Sequence, residues 1–267
     1  MYPENAPTLP AIVKQAKWIW PDSHSWDLHN GYSLFRKVFT LNAVPKKAPL
    51  FITADQSYQL YLNGQYVCRG PARGFQKNWP YDMLNVSRWL KPGKNVIAVR
   101  AYHPGYSNFQ YLSQECAGLL VAAKWGKTIL VSDHTWRARR QTGIRKDMVQ
   151  TSLQLFPQEN IDLRLEDPNW LLPKCDDKAW TSPVVERVWN TMPWYSLEAR
   201  GMPMLDEQLL PAGRIIGEAD GTSAEDYLST RNLSHTRAGE GLAHRAFEAD
   251  TASFDIAPSG QGKWRRP

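Results

Sequence analysis

Three close carboxylate pairs are the first candidates for chemistry: Glu159 with Asp162, Glu166 with Asp167, and Asp176 with Asp177. Acid–base cleavage of a glycosidic bond with inversion needs two carboxyl groups about 6.5–9.5 Å apart, one protonated and one ionised. Pairs so near in sequence also have a plainer use. Asp176-Asp177 before Trp180 suits a turn in which carboxylates accept from local backbone N–H groups. Glu159 and Asp162 suit ion pairs with Arg164 or another cation. The second candidate chemistry is sugar contact, in which aromatic rings stack on apolar sugar faces and polar neighbours bond the hydroxyls. The loop GPARGFQKNWPY, residues 70–81, combines Arg73, Gln76, Lys77 and Asn78 with Phe75, Trp79 and Tyr81. The loop from His103 to Tyr111 adds His103 and Tyr106. Arg73, Asn78, Trp79, Tyr81, His103 and Tyr106 are therefore the candidate carbohydrate-binding residues. The competing use of Trp79 and Tyr81 is to cover the end of the fold or to meet another domain.

Other chemistries lack their residues. There is no G-x-S-x-G, H-E-x-x-H or Walker loop, and Gly239-Glu240-Gly241 lacks the third glycine and preceding strand of a dinucleotide loop. His24 and His29 are close but have no carboxylate or cysteine at ligand spacing, and they read as a polar surface pair. Cys68, Cys116 and Cys175 form no C-x-x-C pair, which argues against zinc and for buried free thiols. No catalytic residue, metal or cofactor is expected. The net charge is +6, with the densest basic cluster at Arg137, Arg139, Arg140, Arg145 and Lys146. Without a recognisable reading motif this is a solvated strand and loop, and no nucleic-acid partner is expected. No apolar run is long enough to span a membrane, and the N-terminus lacks a charged region followed by an apolar one; no membrane partner is expected. Asn85-Val-Ser87 and Asn232-Leu-Ser234 match the N-glycosylation pattern without other support.

The elements that must position these loops are strands. In Tyr58–Leu62 the residues Tyr58, Leu60 and Leu62 point one way, and Gln59 and Tyr61 the other. Asn63-Gly64 then reverses the chain, since both residues tolerate positive φ. Lys91–Asn95 is a second turn, leading into a buried strand Val96–Val99. Residues 116–125 read as another buried strand, turned by Gly126-Lys127 into 128–131, and residues 183–189 as a closing strand. Helix is scarce. Short strands with frequent turn signals predict an all-β antiparallel sandwich. Residues 1–15 read as a lead-in, 16–195 as the sandwich and 196–212 as a proline-containing linker. Residues 213–267 hold an acidic stretch, an alternating strand 252–256 and a further strand from Lys263. They read as the incomplete start of a second β segment, with too few strands to close a sheet.

Several motifs together resemble the N-terminal region of the bacterial α-L-rhamnosidase family of glycoside hydrolases. They are Lys17-Trp18-Ile19-Trp20, Leu34–Phe39, Tyr61-Leu62-Asn63-Gly64, Gly70-Pro71, Tyr81-Asp82 and Val86-Ser87. Downstream follow Ser132–Arg137, Glu159–Arg164, Trp170, Asp176–Trp180 and Ala199–Leu205. The resemblance implies a jelly-roll (galactose-binding-like) β-sandwich, and it implies that catalytic carboxylates belong to a large α/α barrel following the sandwiches. It places the acidic pairs of this chain outside that barrel. The expectation is a non-catalytic accessory front end, with a catalytic barrel domain and a rhamnose-containing glycan as partners. The alternative is an autonomous carbohydrate-binding module.

Overall fold

The computed structural model describes residues 8–22, 29–75, 77–114, 116–148, 150, 152–208, 218–220 and 263–265. Twelve strands build the main unit: β1 (Lys17–Trp20), β2 (Gly31–Leu41), β3 (Pro49–Asp55), β4 (Ser57–Leu62), β5 (Gln65–Gly70), β6 (Asn78–Asn85), β7 (Gly93–His103), β8 (Gly118–Trp125), β9 (Thr128–Val131), β10 (Arg137–Arg140), β11 (Val185–Val188) and β12 (Ser196–Ala199). One sheet has seven strands in the order β11-β1-β8-β3-β6-β12, with β9 also pairing β8, and the other has five in the order β10-β2-β7-β4-β5. Among the described residues the helical elements are all short 3-10 turns. The chain is a β-sandwich.

The alternation in β4 is as the sequence predicts, with Tyr58, Leu60 and Leu62 buried and Gln59 and Tyr61 half-buried. The hairpin between β4 and β5 turns on Asn63 at φ 51° and Gly64 at φ 87°. Asn63 does more than tolerate the angle. Its Oδ1 accepts from Val96 N at 3.0 Å, and its Nδ2 donates to Trp89 O and to buried Asn95 Oδ1, both at 2.8 Å. One side chain thus fixes the hairpin tip to the turn before β7. The longest pairing, β2 against β7, runs unbroken from Gly31↔His103 to Leu41↔Gly93. It sets the register of the five-stranded sheet, because a one-residue slip would turn every apolar side chain outward.

The outer sides of both sheets are partly covered. On the five-stranded sheet, Trp170 and Trp180 pack on Leu34 and Ala98, with Tyr61, Leu171 and Cys175 around them. Arg36, 1% exposed, holds this cover in place. Its guanidinium donates to Trp170 O at 3.2 Å and Leu172 O at 2.8 Å, and it pairs with Asp177. On the seven-stranded sheet, Trp194 stacks on Trp18 at 4.0 Å between ring centroids. Gly118 makes room for the stack, since a Cβ there would lie within 3 Å of both indoles.

Three details depart from the sequence reading. The sandwich has one parallel edge: Ser196–Ala199, expected in a linker, pairs as β12 with β6. Residues 132–136, part of the Ser132–Arg137 motif that resembles a strand of the family, form a turn in which Thr135 N donates to Asp133 Oδ1 at 2.8 Å, so β10 begins only at Arg137. An aspartate that caps its own backbone competes with strand pairing. Of the three thiols, only Cys68 is fully buried; Cys116 and Cys175 are half-buried.

The described residues fall into two compact units, one within Met1–Met148 and Glu159–Pro203, the other within Val149–Gln158 and Met204–Pro267. In the second, β13 (Glu218–Asp220) pairs antiparallel with β14 (Lys263–Arg265). The expected strand 252–256, the glycines at 239 and 241, Asn232 and His24 lie outside the described residues.

Candidate functional site

In each carboxylate pair at least one member is spent locally; the exception among the members is Glu166, whose Oε1 is buried without a hydrogen-bond partner among the described residues. Glu159 accepts from Tyr32 OH at 3.1 Å and from Arg100 Nη2 at 3.4 Å. Asp162 binds Arg164 through side chain and backbone, and this holds its carboxyl down at about 2. Asp167 caps a 3-10 turn by accepting from Asn169 N at 2.9 Å. Asp176 accepts from Lys178 N at 3.1 Å, and Asp177 pairs with Arg36. The turn role expected for Asp176 and the ion pairs expected for Glu159 and Asp162 are what the structure contains.

The sugar-contact candidates are divided. Trp79 and Tyr81, 2% and 3% exposed, lie within the fold and present no open ring face. Trp79 Nε1 donates to Ala54 O at 3.2 Å, and its ring meets Tyr111 edge-on at 6.4 Å. That contact joins the 70–81 loop to the 103–111 loop. Tyr81 packs edge-on against Phe51. Asn78 Oδ1 accepts from Ser196 Oγ at 2.8 Å beside the parallel β12 edge. Arg73 is exposed on its loop. The ring that this loop does open to solvent is Phe75, 73% exposed, and its counterpart on the neighbouring loop is Phe109, 77% exposed. His103 is fully buried next to Trp20. Burial pushes its imidazole down to about 4, a shift only partly opposed by the Asp55 backbone.

Tyr106, by contrast, belongs to a polar cluster at the end of the five-stranded sheet. It stacks on exposed His29 at 5.1 Å. Tyr32 and Tyr102 face each other across β2 and β7 at 4.4 Å, as their register demands. The Arg100 guanidinium lies 4.8 Å from the Tyr32 ring centre. Burial raises the phenols of Tyr32 and Tyr102 well above their ordinary range, and Glu159 and Tyr106 push in the same direction. The tyrosines are therefore neutral donors at any physiological pH. Glu159, with 48% of its side chain exposed, is the open side of the cluster. The sequence reading reached Tyr106 and Glu159 separately. Tyr32 and Arg100 were hidden in what reads as ordinary strand.

Two further carboxylates are buried and fully engaged. Asp55 accepts from Trp194 Nε1 at 2.8 Å and from Tyr111 OH. Asp82 accepts from Tyr58 OH, which crosses from the other sheet, and is paired with Arg200. Gly70 clears the space, since a Cβ there would collide with both Asp82 and Tyr58. The basic cluster is likewise absorbed in part: Arg140 pairs with Asp22 at 2.7 Å, Arg145 with Asp147 at 2.8 Å, and Arg139 lies over the Trp180 ring. Among the described residues no three or more His, Cys, Asp or Glu side chains gather as a metal site, and no helix is long and apolar enough to cross a membrane.

Two packed sheets with helices reduced to single turns define a β-sandwich domain. The chain belongs to the α-L-rhamnosidase N-terminal domain family, whose model matches residues 43–205. It is similar to an α-L-rhamnosidase of Formosa agariphila, 26% identical over 163 residues, covering 54% of this chain and 17% of that protein. Its structure resembles the GH78 family rhamnosidase of Bacillus sp. GL1, with 34% identity and a TM-score of 0.69, covering 78% of this chain and 22% of that one. The fold also matches an α-L-rhamnosidase of Aspergillus terreus, with 21% identity and a TM-score of 0.58, over 81% of this chain and 25% of that one. The chain thus spans about a fifth of the length of these relatives.

Proposed function

We propose that this chain is a non-catalytic accessory domain of an α-L-rhamnosidase-like glycoside hydrolase, which supports that enzyme's catalytic domain and contacts rhamnose-containing glycan. The observation that carries the reading is the family match over residues 43–205, in relatives of which this chain corresponds to about a fifth. The state of the carboxylates supports it. In every acidic pair that could be drawn as an acid and a base at least one carboxylate is engaged by a nearby cation, phenol or backbone N–H, which leaves Glu166 without an ionised partner free to act beside it. General acid catalysis needs a carboxyl with a raised pKa, and Asp162 is shifted the opposite way.

The test is hydrolysis of an aryl α-L-rhamnoside by the purified chain. The expected result is no release of the phenol above the rate in buffer. Release that survives repurification and disappears in Glu159→Gln or Asp162→Asn would overturn the accessory reading. A second reading, an autonomous carbohydrate-binding module, is favoured by the polar tyrosine cluster around Arg100 and Glu159.

A further inference from the structure

Buried polar atoms without partners cost free energy, and in a native fold they mark places where water or a ligand completes the bonding. Three such atoms flank the tyrosine cluster: Asn30 Oδ1, Gln141 Oε1 and Arg100 Nε. Asn30 is 1% exposed and Gln141 8%. Both belong to the same end of the five-stranded sheet. Asn30 lies two residues before Tyr32, its N donates to Pro104 O at 2.9 Å, and its Nδ2 donates to Lys146 O at 3.1 Å. Gln141 N donates to Tyr32 O at 2.9 Å, which continues the β10–β2 register and places Gln141 opposite Tyr32. Opposed residues of antiparallel strands share a face.

We propose that this end of the five-stranded sheet is a sugar-binding site, in which Asn30, Gln141, Arg100 and Glu159 bond the hydroxyls of a neutral sugar beside the rings of Tyr32 and Tyr106. The chemistry of the open positions selects the ligand class. Two are acceptors and one is a donor. An anion satisfies only the donor, and a cation only the acceptors. A hydroxyl satisfies both, donating its proton and accepting through its oxygen. Arg100 and Glu159 already neutralise each other at 3.4 Å, so this pair offers no net charge to attract an ion. Half-buried Tyr106 supplies an apolar face with a neutral hydroxyl tip, backed by the buried rings of Tyr32 and Tyr102, the side-chain type that suits a ligand with one wet and one dry side. The half-exposed Glu159 and exposed His29 leave the cluster open to solvent. The choice of rhamnose among neutral sugars rests on the function proposed above; the site itself does not.

The experiment is calorimetric titration of the whole chain with L-rhamnose, repeated on Gln141→Leu, Glu159→Gln and Phe75→Ala. The expected result is saturable heat with a Kd of about a millimolar, the scale for a small polar ligand whose stacking is offset by ordering costs. Glu159→Gln and Gln141→Leu should each weaken it about tenfold or more, and Phe75→Ala should leave it unchanged. Glu159→Gln keeps the shape of a half-exposed residue, so its result stands even where Gln141→Leu folds poorly. No saturable heat with L-rhamnose, D-glucose or D-mannose overturns the proposal and leaves ordered water as the occupant. Binding that survives both cluster variants, or that Phe75→Ala removes, also overturns it and moves the site to the 70–81 loop. Neither result bears on hydrolysis, so the accessory reading stands or falls separately.

Discussion

The two buried aspartates and the tyrosine cluster are both polar groups set into an aromatic surround, yet their bonding differs. Asp55 and Asp82 sit on the seven-stranded sheet, each with donors aimed at it from distant parts of the chain: Trp194 and Tyr111 for one, Tyr58 and Arg200 for the other. The cluster around Tyr32, Arg100 and Glu159 sits on the five-stranded sheet and has open bonding positions at its edge in Asn30, Gln141 and Arg100. A completed network is what a fold needs to fasten one segment to another. An uncompleted one that reaches solvent is what a binding site needs before its ligand arrives. The difference marks the first region as architecture, holding residues 194–200 against the sandwich, and is the ground on which recognition is proposed for the second.

The sharpest way to break this comparison is at Asp82. Asp82→Ala leaves the Arg200 guanidinium, 10% exposed, with its charge uncompensated. Loss of one partner of a buried pair costs about 3–5 kcal/mol, so urea unfolding should show a midpoint lowered accordingly. A loss under about 1 kcal/mol, the range of exposed pairs, would show that Arg200 reaches solvent and that the network fastens nothing. Trp194→Ala probes the same fastening from Asp55. It removes a fully buried indole stacked on Trp18 and should cost about 3–5 kcal/mol by cavity formation.

His103 comes next in size and reports on the boundary between the two regions. It pairs with Gly31 at the end of β7, next to Tyr102 of the cluster, while its ring faces Trp20 and the Asp55 backbone. Its folded pKa is about 4 against an ordinary 6.5. The unfolded chain therefore binds a proton that the folded chain refuses. The resulting stability is fully present above about pH 6.5, falls as pH drops, and is lost by about pH 4, a change of about 3 kcal/mol. His103→Gln should remove that step from a plot of unfolding free energy against pH. A step of unchanged size in the variant would assign the acid sensitivity to other groups.

How much of this was legible in the sequence follows from the range of each interaction. Alternation in Tyr58–Leu62, the Asn63-Gly64 reversal and the buried runs of β7 and β8 are local signals, and the sandwich was readable from them. Asp176 bonded to Lys178 N is equally local. Trp79 and Phe75 are four residues apart in one loop, and only the register of β6 decides that the first turns inward while the second stays exposed. Arg100 and Glu159 are 59 residues apart, and Asp82 and Arg200 118. No pattern of period two or of short spacing encodes such a meeting. The family motifs contain Asp82 and Arg200, but as separate words without the bond between them. Ser196–Ala199 was hidden in another way, since flanking prolines read as a linker although a parallel edge strand needs only a free neighbour such as β6.

The smallest expected effect separates the two regions most cleanly. Glu159 accepts from Tyr32 and Arg100, as Asp55 accepts from Trp194 and Tyr111, so the partners alone would suggest a similar structural weight for both. Exposure says otherwise. Asp55 is fully buried, whereas nearly half of the Glu159 side chain meets water. Arg100 is only 14% exposed, but water solvates the Glu159 carboxylate almost as well as Arg100 does, and a pair with one such open member contributes about 0–1 kcal/mol. Glu159→Gln, which keeps an acceptor for Tyr32, should shift the unfolding midpoint by less than about 0.5 kcal/mol. Its consequence should appear in sugar affinity instead. A stability loss above about 2 kcal/mol would place Glu159 with Asp55 and Asp82 as a fastening, and the contrast between the two faces would then be one of degree.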